Sequence, residues 1–168
     1  MVKRLFFLIL LLCWVVNIFG QADFKGTKFD QVLIISYGGS VVDHINFDFQ
    51  KLGVEVDTLQ FKHKAFLTIE EGRSLYDLLV DKSSYKGIAS ICWIPHLCIY
   101  FLKENKTVNV IEVCMDCNRL QSVLRIKEAD PVKYKGGVNM PKGLSPSLNE
   151  YLQKMMEKYS LDYRFFQE

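Results

Sequence analysis

The stretch Ile88–Cys114, IASICWIPHLCIYFLKENKTVNVIEVC, decides how this chain is read. It holds three short apolar runs, Ile88–Trp93, Leu97–Leu102 and Val108–Cys114, rich in β-branched and aromatic residues. Runs of that length and composition are strands. Lys103-Glu104-Asn105-Lys106 breaks the second run from the third and reads as the turn of an antiparallel hairpin. With a three-residue loop at Glu104–Lys106, Lys103 faces Thr107, Leu102 faces Val108, Tyr100 faces Val110, Cys98 faces Glu112 and His96 faces Cys114. Strand alternation then sends Leu97, Ile99, Phe101, Ile111 and Val113 to a core face. His96, Cys98, Glu112 and Cys114 share the opposite face. A carboxylate there must be solvated, paired or bound, and the simplest expectation is a face open to water.

Working outward, Gln31–Tyr37 (QVLIISY) is a buried strand closed by Gly38-Gly39-Ser40. Ile45, Phe47 and Phe49 alternate with polar residues, as a half-buried strand does. Val54–Phe61 alternates again and reads as a strand extending as far as Leu67. Thr68 is a helix N-cap with Glu71 closing a capping box, and Leu75, Leu78 and Leu79 form the apolar stripe. Gly72 weakens that helix by about 1 kcal/mol relative to Ala. Asp81–Gly87 is a loop, and Asp130-Pro131 and Gly136-Gly137 mark a longer one. A final helix starts at Ser145 or Ser147, with Pro146 at its first position or Glu150 closing a box. Leu148, Leu152, Met155, Met156 and Tyr159 line its core face. Strands outnumber helices without regular interleaving, so the expected fold is α+β: a mainly antiparallel sheet with about two packed helices, in a single domain at 23–168.

Residues 1–22 have the pattern of a secretory signal peptide. Lys3 and Arg4 precede the apolar run Leu5–Val16, and Gly20 and Ala22 supply small residues for cleavage. The run is short of the roughly 20 residues a spanning helix needs, so a membrane anchor ranks second. Cys13 lacks the small preceding residue and polar tether of a lipid-attachment site. Removing Lys3 and Arg4 takes Lys+Arg from 21 to 19, equal to Asp+Glu at 19, which leaves no basic footprint for nucleic acid. A chain that is 49% hydrophobic and 24% charged is neither disordered nor collagen-like. The expected address is periplasmic or extracellular, with no membrane span after processing and an unspecified protein or small-molecule partner.

One constellation carries chemistry: Cys92-x3-His96-x-Cys98, then Cys114-x2-Cys117. Cys92, His96, Cys114 and Cys117 form a candidate metal set, for which zinc is the suitable ion, with Cys98 able to replace one of them. The same cysteines are candidates for disulfides in an exported chain, two if all four pair, with Cys98–Cys114 or Cys92 and a partner stapling neighbouring strands. Thiol–disulfide exchange through Cys114-Met115-Asp116-Cys117 ranks below these, because Asp116 opposes a thiolate and no βαβ unit precedes the motif. A Cys nucleophile with His96 as its base ranks last, since no motif supports it. Asp43-His44 would point to opposite faces of a strand, and His63, between Lys62 and Lys64, is read as a solvated surface residue. No organic cofactor is expected. The leading functional expectation is a non-enzymatic exported domain, structural or binding, with its hairpin stabilised by disulfide or zinc. The alternative is an enzyme using the cluster, a metal-dependent hydrolase or a thiol–disulfide oxidoreductase.

The run from Cys92 to Asn118 resembles a pattern of small exported proteins of Bacteroidota-type Gram-negative bacteria. Those proteins carry a Cys, then Pro and His, an apolar strand, a short turn and a closing Cys-x2-Cys-Asn. The matching positions are Cys92, Pro95, His96, Cys114, Cys117 and Asn118, and the pattern often has a second His where this chain has Leu97. The resemblance implies a periplasmic or surface address and no assigned activity.

Overall fold

The computed structural model describes residues 22–36, 52–61 and 63–161. The signal-peptide reading of 1–22, all but its last residue, and the readings of Ile45–Phe49 and Asp43-His44 lie outside the described residues. Five strands form one antiparallel sheet: β1 (Gln31–Ser36), β2 (His63–Phe66), β4 (Leu97–Lys103), β5 (Lys106–Cys114) and β6 (Arg119–Ser122), in the order β2-β1-β4-β5-β6. Between them β3 (Tyr85–Ile88) pairs with β9 (Lys142–Leu144), and β7 (Val132–Lys133) pairs with β8 (Asn139–Met140). Two helices, α1 (Ile69–Leu79) and α2 (Pro146–Lys158), pack on the sheet. The fold is α+β in a single domain.

The expected core face is the real one. Val32, Ile34, Leu97, Ile99, Phe101, Ile111 and Val113 join Leu75 and Leu79 of α1 and Leu148, Leu152, Met155 and Met156 of α2 in one apolar cluster. Phe24 and Phe29 close its end, each edge-on to Phe101. The other face is not open to water. Leu33, Ile35, Cys98, Tyr100, Leu102 and Val110 form a second cluster against Val56, Phe61 and Val123. Glu112 on that side retains only 9% exposure. Burial on both faces explains why β4 reads as a continuous apolar run.

Both helices start where expected. The Thr68 hydroxyl accepts from the Glu71 N–H, and the Glu71 carboxylate accepts from the Thr68 N–H, completing the capping box. Glu71 also receives the Lys158 ammonium at 2.6 Å and the Tyr159 hydroxyl at 2.5 Å, which ties α1 to α2. Partial burial pulls the Glu71 pKa upward, but the Lys158, Tyr159 and Thr68 donors override it and hold the carboxyl at about 2. Gly72 has a packing reason: a Cβ there would stand 2.9 Å from Val32 Cγ2, where α1 crosses β1. Ser145 caps α2 and Pro146 takes its first position. Glu150 pairs with Lys154 one turn on rather than closing a box.

Three expected elements are corrected. Val54–Phe61 is not a strand: it makes one bridge, Glu55 to Lys106, and a 3₁₀ turn at Thr58–Gln60 that the Asp57 carboxylate caps through the Leu59 N–H. The strand beside β1 is His63–Phe66, which makes His63 half-buried rather than a freely solvated residue. Asp81–Gly87 is not all loop, since a 3₁₀ turn at Lys82–Ser84 leads directly into β3. The apolar run from Ile88 to Trp93 leaves the strand after Ile88, and Ile91 is 80% exposed.

Candidate cysteine–histidine site

β5 ends at Cys114, the chain turns through Met115–Asn118, and β6 returns with Arg119 opposite Cys114. Asn118 adopts φ 52°, a left-handed conformation that Asn tolerates, and its N–H donates to the Met115 carbonyl at 3.1 Å. The Asn118 side chain donates to the Leu144 carbonyl of β9 at 3.1 Å, and the Leu144 N–H donates to the Asn118 carbonyl at 3.2 Å. Gly143 permits that approach, because a Cβ there would lie 2.8 Å from Asn118 Nδ2 and 3.0 Å from the Lys86 carbonyl oxygen.

Against this turn lies the segment from Ala89 to His96, which belongs to no strand. A disulfide joins Cys92 to Cys117 across 25 residues, with Cα atoms 5.9 Å apart. The Ser90 N–H donates to the Cys117 carbonyl at 3.1 Å, and the His96 N–H donates to the Val113 carbonyl at 2.8 Å. The Arg119 guanidinium sits over the Trp93 ring, 5.2 Å from its centroid. The segment is therefore latched along its length to the β5–β6 turn.

His96 is 2% exposed. Its Nδ1 accepts the Met115 N–H at 3.0 Å, which requires a neutral ring with its proton on Nε2. Nε2 faces the Asp116 carboxylate at 3.4 Å. Burial pushes the His96 pKa down and Asp116 opposes that shift in part. Asp116 is thus a partner of His96, a role its position inside the Cys-x2-Cys motif did not signal.

The cysteines sort into one disulfide and two buried thiols, Cys98 and Cys114. The expected Cys92 staple forms, with Cys117 as its partner. The expected Cys98–Cys114 staple does not, so the four cysteines give one bridge rather than two. Cys114 Sγ instead accepts the Cys117 N–H at 3.2 Å. On the second sheet face, burial pushes the Tyr100 hydroxyl pKa strongly up, and its hydrogen bond to Cys98 and the Glu112 carboxylate act in the same direction. Of the candidate zinc ligands, Cys92 and Cys117 are joined to each other, while Cys114 ends β5 and His96 lies against the turn that follows it. Among the described residues no three His, Cys, Asp or Glu side chains are grouped to hold a metal ion. The expected opposition of His96 and Cys114 becomes a contact from His96 to the next residue, Met115.

No family model, curated protein or solved structure matches this chain. No helix among the described residues is long and apolar enough to cross a membrane.

Proposed function

We propose that the chain is an exported, non-enzymatic domain with a structural or binding role, its Cys/His hairpin held by the Cys92–Cys117 disulfide. That bridge is the observation supporting the reading. It fastens a strandless segment to the end of the sheet, and it belongs to an oxidising compartment, in keeping with the leader pattern at 1–22. The resemblance of Cys92–Asn118 to exported Gram-negative proteins points to the same address. A catalytic reading of the cluster needs an open coordination position or an accessible thiol. The two thiols, Cys98 and Cys114, are both 0% exposed.

The test is a free-thiol count on residues 23–168 recovered from the oxidising compartment, in denaturant with and without chelator. The expected count is two, from Cys98 and Cys114, unchanged by chelator. Four thiols released together with a metal-sized mass would overturn the disulfide reading in favour of zinc.

A further inference from the structure

We propose that Cys114, Cys117 and Cys92 form an internal thiol–disulfide exchange unit, in which Cys114 takes over Cys117 and releases Cys92 as a surface thiol. This rests on the disulfide reading above. Cys114 is a thiol 0% exposed, shielded from outside reagents, yet its Sγ lies 3.2 Å from the backbone nitrogen of the disulfide-bonded Cys117. Three covalent bonds separate N from Sγ within one cysteine, so the Cys114 sulfur is held against the residue that carries the bridge. The bridge itself is asymmetric: Cys117 is 2% exposed, whereas Cys92 is exposed.

The step is redox-neutral and needs no co-reactant. The Cys114 thiolate attacks Cys117 Sγ, the Cys114–Cys117 bond forms, and the Cys92–Cys117 bond breaks with its electron pair leaving on Cys92. The proton lost by Cys114 is regained at Cys92 through solvent. The product has a buried disulfide within the turn and a free Cys92 thiol between Ile91 and Ile94, which are 80% and 41% exposed. That thiol is accessible to a disulfide-bearing reactant, whereas Cys114 is not.

The two bridges separate cleanly on digestion. Trypsin places Cys92 and Cys98 in the peptide 87–103, and Cys114 and Cys117 in the peptide 107–119. The native protein, free of reductant, is incubated with light N-ethylmaleimide at neutral pH. It is then acid-quenched, denatured and labelled with the heavy reagent. Exchange puts light label on Cys92 and heavy label on Cys98, and leaves 107–119 internally bridged. Light labelling should fall at least tenfold in Cys114→Ser. Absence of light label on Cys92, with heavy label on Cys98 and Cys114 and the two peptides cross-linked, would overturn exchange and leave the staple intact. Undiminished labelling of Cys92 in Cys114→Ser would also overturn it, because another nucleophile would then be responsible. Heavy label on all four cysteines would overturn the staple and exchange together. The wild-type labelling decides the matter even if Cys114→Ser fails to fold.

Discussion

Reducing the Cys92–Cys117 bridge gives the sharpest test of how this domain is held. The perturbation needs no mutation: the same protein is melted in urea oxidised and in the presence of a phosphine reductant. The bridge closes 25 residues of chain. In the chain-entropy model a loop of that length restricts the unfolded state by about 3.5 kcal/mol at 25 °C. With a urea m-value of about 2 kcal/mol/M, the midpoint should drop by roughly 2 M on reduction. The m-value should stay the same or rise slightly, because the reduced unfolded chain is more expanded. Cys92→Ser, also kept reduced, should match reduced wild type within about 0.5 kcal/mol, since the Cys92 side chain is exposed and takes little part in packing. Cys117→Ser should cost more than Cys92→Ser, because Cys117 is 2% exposed and its hydroxyl replacement is buried. Coincident oxidised and reduced midpoints would refute the assignment of a stabilising staple to this pair.

Four other outcomes follow from the geometry. Glu71→Gln keeps a capping-box side chain but loses the charge facing Lys158. The fall in the Glu71 pKa from 4.5 to about 2 bounds the loss near neutral pH at roughly 3 kcal/mol. Solvent around the 57% exposed Lys158 reduces this to about 1–2 kcal/mol. A carboxyl with a depressed folded pKa stabilises above its unfolded pKa, so the gap between wild type and Glu71→Gln should close as pH falls from 4.5 toward 2 in pH-dependent urea melts. Gly72→Ala should destabilise by about 1 kcal/mol despite better helix propensity, because overpacking against Val32 outweighs it; a rise in melting temperature would show that Val32 yields freely. Gly143→Ala should cost about 2 kcal/mol and disturb the Asn118 amide signal, since its Cβ meets Asn118 and the Lys86 carbonyl. His96 has a lowered pKa in the fold, so its contribution is intact above about 6.5 and is lost as pH falls below that value; a His96→Gln variant should flatten that limb of the stability profile.

The hairpin was legible because its core face is strictly patterned. The register expected from a three-residue loop holds at Leu97–Val113, Cys98–Glu112, Ile99–Ile111, Tyr100–Val110 and Phe101–Asn109. It fails at the tip. Glu104 and Asn105, at φ 51° and 63°, make a two-residue turn whose twist suits the strands, and the register shifts after Phe101, leaving Leu102 opposite Thr107. Asn109 then anchors the neighbouring chain: its side-chain oxygen accepts the Leu124 N–H at 2.9 Å and the Ser122 hydroxyl at 3.2 Å. The Ile88–Trp93 misreading has a different origin. Its apolar residues match a strand in composition, but the segment is held by a disulfide and by isolated hydrogen bonds to a turn, which periodicity does not encode. The cysteine spacing showed that Cys92 and Cys117 belonged to one cluster. It did not show which cysteines pair, because that depends on how the segment after β3 crosses the β5–β6 turn.

The way that segment is held argues for a bridge acting locally as well as globally. The sheet is covered on both faces, and the core clusters contain neither Cys92 nor Cys117. Ordering each residue between Ala89 and His96 costs about 1–2 kcal/mol of backbone entropy, and no ladder of strand hydrogen bonds offsets it. The Ala89 N–H bond to the Pro141 carbonyl, Ser90, His96 and the Trp93–Arg119 contact are ties that remain when the bridge is cut. Loss of the Cys92–Cys117 bond should therefore release this segment before it unfolds the sheet. Amide exchange at Ser90 should accelerate on reduction by a larger factor than exchange at Ile99 or Ile111, which are both fully buried in the central strands. Equal acceleration at all three sites would mean that the segment and the sheet open as one unit, and the bridge would then act only through the unfolded state.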